Sequence, residues 1–371
     1  MRGREIAVNT SVEPVVHLDA IDAAWLTQIL GGAGALGHGG RVTCVERATC
    51  GTGQLADSYR FALTYDAPDS GPATLVGKFP SEDLTSRAFG KQSGYYRTEI
   101  RFYQEIAPTL TDLALPTALH AALADNETDF VLLMDDLTPA RTVDQLVGCT
   151  ADEAALVMEQ AAALHADSWQ KAQLAEVDWL KGTVASFTNI TENFPQTAGT
   201  FLEKFGDLVP EADVQEAARL NDQLDAWKRV LNTPQCLWHS DLRADNLLFD
   251  ARGGAMPVAV LDWQGVGYGS GTIDVAYYLS TSLTTADRRA HERDLVAHYH
   301  DKLVSLGVAG YSADQCWEDY RVAAIHPLQT GIFGVGAVKR SERGDEMWRV
   351  WIERSAAHTR DLDSFAALAS R

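Results

Sequence analysis

The 371-residue chain has little cysteine and few cations for its size. Its five cysteines, Cys44, Cys50, Cys149, Cys236 and Cys316, are odd in number and form no C-x-x-C pair. That argues against a disulfide framework and a zinc knuckle, and it suits a reducing cytoplasm. No stretch approaches eighteen apolar residues, and the start, MRGREIAVNTSVEPVVHLDA, lacks the apolar core of a signal peptide, so no membrane partner is expected. Lys and Arg number 31 against 51 Asp and Glu, a formal charge of −20, which repels nucleic acid at long range. The acidic balance fits a cationic substrate or plain solubility, and any anionic ligand must meet local cations or a metal. Internal repeats and low-complexity tracts are also missing, while 46% hydrophobic residues supply a large core.

The length suggests two domains or two lobes sharing a cleft. Residues 19 to 30, DAIDAAWLTQIL, space Ile21, Trp25 and Ile29 four apart behind Asp19 as N-cap, which predicts an amphipathic helix. GGAGALGHGG ends it. Tyr59, Phe61, Leu63 and Tyr65 then alternate with smaller or polar residues, and residues 41 to 80 read as three antiparallel strands. ALHAAL and FVLLM add two more. After about residue 137 helical spacing dominates: Ala155, Met158, Ala162 and His165, then Leu220, Leu224, Trp227 and Leu231. Short apolar runs return between 236 and 264 as CLWHSDL, NLLF and VAVLDW.

Those runs bracket the most informative polar residues. LWHSDLRADNLLFD at 237 to 250 and VAVLDWQ at 258 to 264 supply His239, Asp241, Arg243, Asn246 and Asp262, in an H-x-D-x-x-x-x-N spacing with a further Asp sixteen positions past the Asn. Polar groups among apolar runs are costly to desolvate unless paired or functional. Phosphoryl transfer needs these types: a carboxylate near the acceptor hydroxyl, an amide and a second carboxylate on Mg²⁺, and a cation for the phosphates.

HSDLRADN resembles the catalytic loop of protein-kinase-like enzymes. With LDWQ followed by GTIDVAYYL, the chain looks like the aminoglycoside phosphotransferase and choline kinase group, nearest in look to its ecdysteroid-kinase-like branch. The resemblance implies an α+β, bilobal kinase-like fold, with a β-rich N-lobe over residues 1–135 and a mostly helical C-lobe over 136–371. It makes Asp241 the catalytic base, Asn246 and Asp262 the magnesium ligands, Arg243 a neutraliser of the transferring phosphate, and His239 an orienter of the loop. Asp274 resembles a position that anchors that loop, or is a helix cap. Two departures stand out: Ser240 replaces the usual Gly after the His, and Trp263-Gln264 replaces a flexible Phe-Gly pair, which argues against a movable activation switch.

Upstream, GTGQLADSYRF places Gly51 and Gly53 where backbone amides approach phosphates, although the third Gly is replaced by Ala56 and a plain hairpin fits equally. Lys78 lies in the strand TLVGKFP, where a buried ammonium needs an anion. Tyr96, Glu99, Phe102, Tyr103 and Ile106 share a helical stripe ended by Pro108, and a carboxylate on such a stripe wants a cation. The resemblance pairs Lys78 with Glu99 on the α and β phosphates. It also makes FVLLMDDL the linker whose backbone, from Met134 to Leu137, meets the adenine edge, with Asp135 and Asp136 open to reading as a polar hinge. His165, in LHADSW, reads as a structural hydrogen-bonding residue.

Three motifs are decoys. GAGALG at 32 to 37 follows a helix instead of a strand, so it is a link and not a dinucleotide loop. HERDL at 291 to 295 has Leu295 where a zinc helix needs its second His. GYGSG at 267 to 271 lacks the first Gly of a nucleophile elbow and reads as a loop. Trp317, Trp348, Trp351 and Phe333 are either core or the wall of an acceptor pocket. Asp274 follows Asp262 by only twelve positions and no A-P-E follows, which leaves little room for peptide docking. The expected activity is therefore ATP- and Mg²⁺-dependent phosphorylation of a hydroxyl on a small molecule, an aminoglycoside-, choline- or steroid-like alcohol. The alternative is a catalytically silent nucleotide-binding pseudokinase.

Overall fold

In the computed structural model, residues 18–37, 39–51, 53, 55–229, 235–337 and 342–371 are described. The chain forms two compact units. The first comprises residues 1–110, 115–139 and 261–265, and the second 111–114, 140–260 and 266–371. The chain therefore passes between units more often than a single boundary after residue 135 supposes.

The first unit opens with helix α1 (Ala23–Gly32). Its cap is Asp22, whose carboxylate accepts the Trp25 amide, and not Asp19, which precedes the helix and pairs with Arg47. A cap must sit one residue outside the first helical φ/ψ, and the helix starts later than the apolar spacing suggested. Strands β1 (Val42–Thr49), β2 (Ala56–Tyr65) and β3 (Thr74–Pro80) follow. Helices α2 (Leu84–Gln92) and α3 (Tyr95–Arg101) lead to β4 (Ala118–Leu123) and β5 (Phe130–Asp135). The strands make one antiparallel sheet in the order β1-β2-β3-β5-β4.

Alternation along these strands sends Phe61, Leu63, Leu75, Phe79, Val131 and Leu133 into a core with Leu26, Ile29 and Leu30 of α1. Each such side chain contributes about 1.5–3 kcal/mol of burial. Gly77 is needed there, because a Cβ would stand 2.8 Å from Phe61 and 2.9 Å from Leu133. Lys78, one residue on, belongs by the same period of two to the opposite face. After α3 the helical path continues as a π-turn over Phe102–Ile106 and a 3-10 turn that contains Pro108.

The second unit carries α4 (Ala151–Ser168), α5 (Lys181–Glu192), α6 (Phe194–Phe205), α7 (Glu211–Asp222) and α8 (Leu224–Trp227). The spacing from Leu220 to Leu231 suggested one helix, but it breaks at Gln223, and Leu231 lies outside the described residues. Next come β6 (Gln235–Trp238), β7 (Leu247–Ala251), β8 (Met256–Val260) and β9 (Gly267–Ser270). β7 pairs with β8 and β6 with β9, each antiparallel. GYGS is thus a buried strand and not the loop read from its glycines. A Cβ at Gly267 would stand 2.6 Å from Thr183 and 2.7 Å from the Trp238 indole, so only glycine permits this close pairing. The remaining helices are α9 (Thr272–Ser282), α10 (Thr285–Ser305), α11 (Ala313–Ala323), α12 (Ile325–Ala337), α13 (Glu342–Asp361) and α14 (Ser364–Ala369). Among the described residues no helix is long and apolar enough to cross a membrane.

Candidate active site

In the first unit β3, α3 and the segment after β8 bring three charged side chains together. Lys78 Nζ donates to Glu99 at 2.8 Å and to Asp262 Oδ1 at 2.7 Å. Lys78 and Glu99 are nearly buried, and Asp262 is partly open. Burial alone would lower the lysine pKa, but Asp262 and Glu99 outweigh it and hold the ammonium above its ordinary value. Burial raises the Glu99 pKa, Lys78 opposes that, and Asp262 adds to it. One ammonium between two carboxylates carries a formal charge of −1. A triphosphate approaching this cluster therefore needs an accompanying cation.

Asp262 has φ +62°, a left-handed conformation that Asp tolerates better than most residues. The next residue, Trp263, is fully buried and stacks on Phe102 with centroids 4.2 Å apart and planes 9° apart. Gln264 donates to Asp262 Oδ2 at 3.2 Å. The Trp-Gln pair thus holds the Asp262 turn on both sides.

Gly51 has φ +77°, and a Cβ at Gly53 would stand 2.7 Å from the Ala56 carbonyl oxygen, so both glycines are required by the connection itself. Thr52 and Gln54 of that segment lie outside the described residues. Tyr96, one turn before Glu99, donates its hydroxyl to the Leu55 carbonyl and ties α3 to the segment. Met134 sits inside the sheet, with Val76 and Ala118 as register partners, whereas Leu137 lies two residues past the end of β5 and is buried. Asp135 accepts the Thr117 amide at 2.5 Å and Asp136 pairs with Arg60 at 2.7 Å, so both carboxylates are spent on the fold.

In the second unit β6 runs into the His239–Asp241 turn. Asp274, fully buried on α9, accepts the His239 amide at 2.6 Å and the Ser240 amide at 2.9 Å, with the His165 ring at 3.3 Å. His165 in turn meets the Tyr299 hydroxyl at 2.8 Å. Asp274 therefore anchors the loop; Gly271 stands at the N-cap. Ser240 has φ +70°, which is the reason glycine suits this position and the place where serine carries strain. His239 is buried, and its Nδ1 accepts the Asp241 amide at 3.3 Å.

Three side chains donate to the Asp241 carboxylate. Arg243 Nε and the Tyr277 hydroxyl reach Oδ1 at 3.1 and 3.0 Å, and Asn246 Nδ2 reaches Oδ2 at 2.9 Å. Asn246 Nδ2 also donates to the Asp241 carbonyl at 2.8 Å. Both partners only accept, so the amide nitrogen must face them and the amide oxygen is the atom free for a cation. Arg243 Nη1 donates to Gln145 at 2.8 Å and to Asp245, which leaves Nη2 with no partner among the described residues. Gln145 is held through its main chain: Arg354 of α13 donates to the Gln145 carbonyl at 2.8 Å and to the Leu146 carbonyl at 2.7 Å.

Of the aromatic candidates, Trp351 stands edge-on to Tyr277 at 5.4 Å and Trp348 lies 5.3 Å from Trp351. Trp317 is elsewhere, under Arg293 at 4.0 Å. Farther along α10, His298 meets Glu159 at 3.2 Å, and His300 meets the Tyr311 carbonyl at 2.9 Å. A cavity of about 560 Å³ along α5 is lined by Leu174, Leu180, Val184, Gln235 and Tyr268 among others, and by none of the candidate catalytic residues. Sequence reading missed Tyr277, Gln145 and Arg354. Tyr277 sits in an apolar helix and reads as core, and the other two act from loop and helix positions that no motif marks.

The profile of the ecdysteroid kinase-like family matches residues 55–308, more than half of the chain. No curated protein matches. Among solved structures, a GDP complex of a point mutant of aminoglycoside 2'-phosphotransferase-IIIa is 12% identical with TM-score 0.50, covering 93% of this chain and 97% of its own. ADP-bound aminoglycoside phosphotransferase APH(2'')-Ib is 14% identical with TM-score 0.50, covering 91% and 99%. An ethanolamine kinase of Plasmodium vivax is 11% identical with TM-score 0.49, covering 86% and 82%. At these identities the likeness is one of fold, and the fold is kinase-like.

Proposed function

Given that the chain belongs to the ecdysteroid kinase-like family, we propose that it is a phosphotransferase moving the γ-phosphoryl group of ATP to a hydroxyl of a small molecule. The observation that carries this reading is the Lys78 ammonium held by Glu99 and Asp262, side chains 21 and 184 positions away in sequence. A fold has little reason to bury such a net-negative trio except to receive a polyanion together with a cation. The fold relatives bound to GDP and ADP support a nucleotide as that polyanion.

In the proposed mechanism Lys78, oriented by Glu99, holds the α and β phosphates, and the Gly51 and Gly53 segment offers them backbone amides. The main chain from Met134 to Leu137 meets the adenine edge. The Asn246 amide oxygen and the Asp262 carboxylate are hard oxygen donors that fit Mg²⁺. When bound, the ion neutralises charge on the phosphate oxygens. Asp241 accepts the proton of the acceptor hydroxyl as its oxygen attacks the γ-phosphorus and ADP departs. Arg243 Nη2 meets charge on the transferring group in this reading.

The acceptor is an aminoglycoside-, choline- or steroid-like alcohol. ADP release by purified protein with Mg²⁺·ATP, measured against an ecdysteroid, kanamycin and choline with Asp241→Asn as control, tests the reading. Acceptor-dependent release confined to the intact protein supports it. Tight ATP binding without release from any acceptor favours a silent nucleotide-binding protein instead.

A further inference from the structure

The hydrogen bonds around Asp241 are asymmetric. An ionised carboxylate offers about four acceptor directions, two on each oxygen. Oδ1 receives Arg243 Nε at 3.1 Å and the Tyr277 hydroxyl at 3.0 Å, so both of its directions are filled. Among the described residues Oδ2 receives only Asn246 Nδ2 at 2.9 Å. The Tyr277 proton must point at the carboxylate, which has none to give.

Tyr277 is itself tightly held. Tyr277 is 5% exposed, its ring packs against Trp351 at 5.4 Å and His326 at 5.6 Å, and Thr330 of α12 is a polar neighbour of its hydroxyl. Burial raises its pKa well above the ordinary phenol value, with Asp241 adding to this, so it stays a donor throughout the working pH range.

Resting on the kinase reading above, we propose that Tyr277 is a positioning residue which, with Arg243, closes Oδ1 and assigns Oδ2 as the atom that takes the acceptor's proton. In that step the acceptor O–H breaks, its proton passes to Oδ2, the new O–P bond forms, and the bond from the γ-phosphorus to the ADP oxygen breaks. A second consequence concerns water. With Oδ1 closed, a stray water has one fewer site at which to be activated, so ATP is spent on the acceptor and not on hydrolysis.

Tyr277→Phe keeps the ring and removes the donor. Expected is a fall in kcat for transfer of about ten- to a hundredfold, the worth of a hydrogen bond to a charged group, with the KM for ATP unchanged. The ratio of ATP hydrolysed to acceptor phosphorylated should rise; a merely structural role would lower both together. Thr330→Val, which removes a polar neighbour of the Tyr277 hydroxyl without touching the ring, should move the ratio the same way by less, and it serves if Tyr277→Phe fails to fold. The probes are Mg²⁺·ATP with water alone, and Mg²⁺·ATP with whichever of the ecdysteroid, kanamycin or choline reacts fastest. A Tyr277→Phe kcat within twofold of wild type and an unchanged ratio, with Asp241→Asn inactive, overturns the positioning role while the kinase reading stands. Full turnover by Asp241→Asn, or no turnover by wild type, removes the kinase reading and the proposal with it.

Discussion

The charged cluster of the first unit and the Asp241 loop of the second solve opposite problems. Lys78 and Glu99 are nearly buried, and each is tolerable only because the other is present. Asp241 is about one-third exposed and could be solvated on its own, yet it is held by three donors. In the first case the ion pairs make the burial of charge tolerable and so hold the fold. In the second the hydrogen bonds fix direction more than stability. The teaching is that substitutions at the two places should separate: one should cost both folding and function, the other function alone.

The largest effect should come from Asp241→Asn. Loss of the base should lower the transfer rate by about 10²- to 10⁴-fold, while the melting temperature and ATP affinity stay near wild type; ADP release and a thermal melt check both halves. Lys78→Ala should break the symmetry from the other side. It leaves Glu99 buried without its cation beside Asp262, a loss of about 3–5 kcal/mol, visible in denaturant unfolding as well as in activity. If Lys78→Ala melted like wild type, the contrast between the units would fail. Asp262→Ala keeps the Lys78–Glu99 pair and should spare the fold, but it should abolish the magnesium dependence of ATP affinity in a titration.

A smaller effect is tied to pH. His326 is buried among the Phe187, Trp238 and Tyr277 rings, and burial pushes its pKa down to about 4 from 6.5. Below pH 6.5 the unfolded chain binds a proton that the folded one refuses, so this contribution to stability is present at neutral pH and is lost as pH falls toward 4. By pH 5 the loss is about 2 kcal/mol. His326→Leu should flatten the stability profile between pH 7 and 5, read from chemical unfolding at each pH. The smallest effect is Ser240→Gly. Relief of the left-handed strain is offset by the greater freedom of glycine in the unfolded chain, leaving a gain of less than about 1 kcal/mol; a loss of more than that would contradict the strain at Ser240.

The five strands of the first sheet were legible because alternation over Tyr59–Tyr65 and the turn residues between strands are local signals. The H-x-D-x-x-x-x-N spacing was legible because its members lie within eight positions on one loop. GYGS was misread because its strand character depends on what packs against it: Thr183 and Trp238 leave no room for a side chain at Gly267. The cap falls at Asp22 and not at Asp19 because apolar spacing does not define the first helical residue to better than a turn.

Composition, period and motif spacing by themselves determined the α+β character, the sheet, the loop with Asp241 and Asn246, and the need of Lys78 and Glu99 for partners. Each follows from residues close in sequence or from the cost of burying charge. Tertiary structure alone decided that Lys78 serves two carboxylates, that Asp274 anchors the loop through two amides, and that Tyr277 rather than a loop residue shares Oδ1 with Arg243. Apart from the one between Arg243 and Asp241, these contacts join positions 21 to 184 residues apart. Hydrogen bonds act over about 3 Å, and no local pattern encodes which distant atoms folding will bring that near.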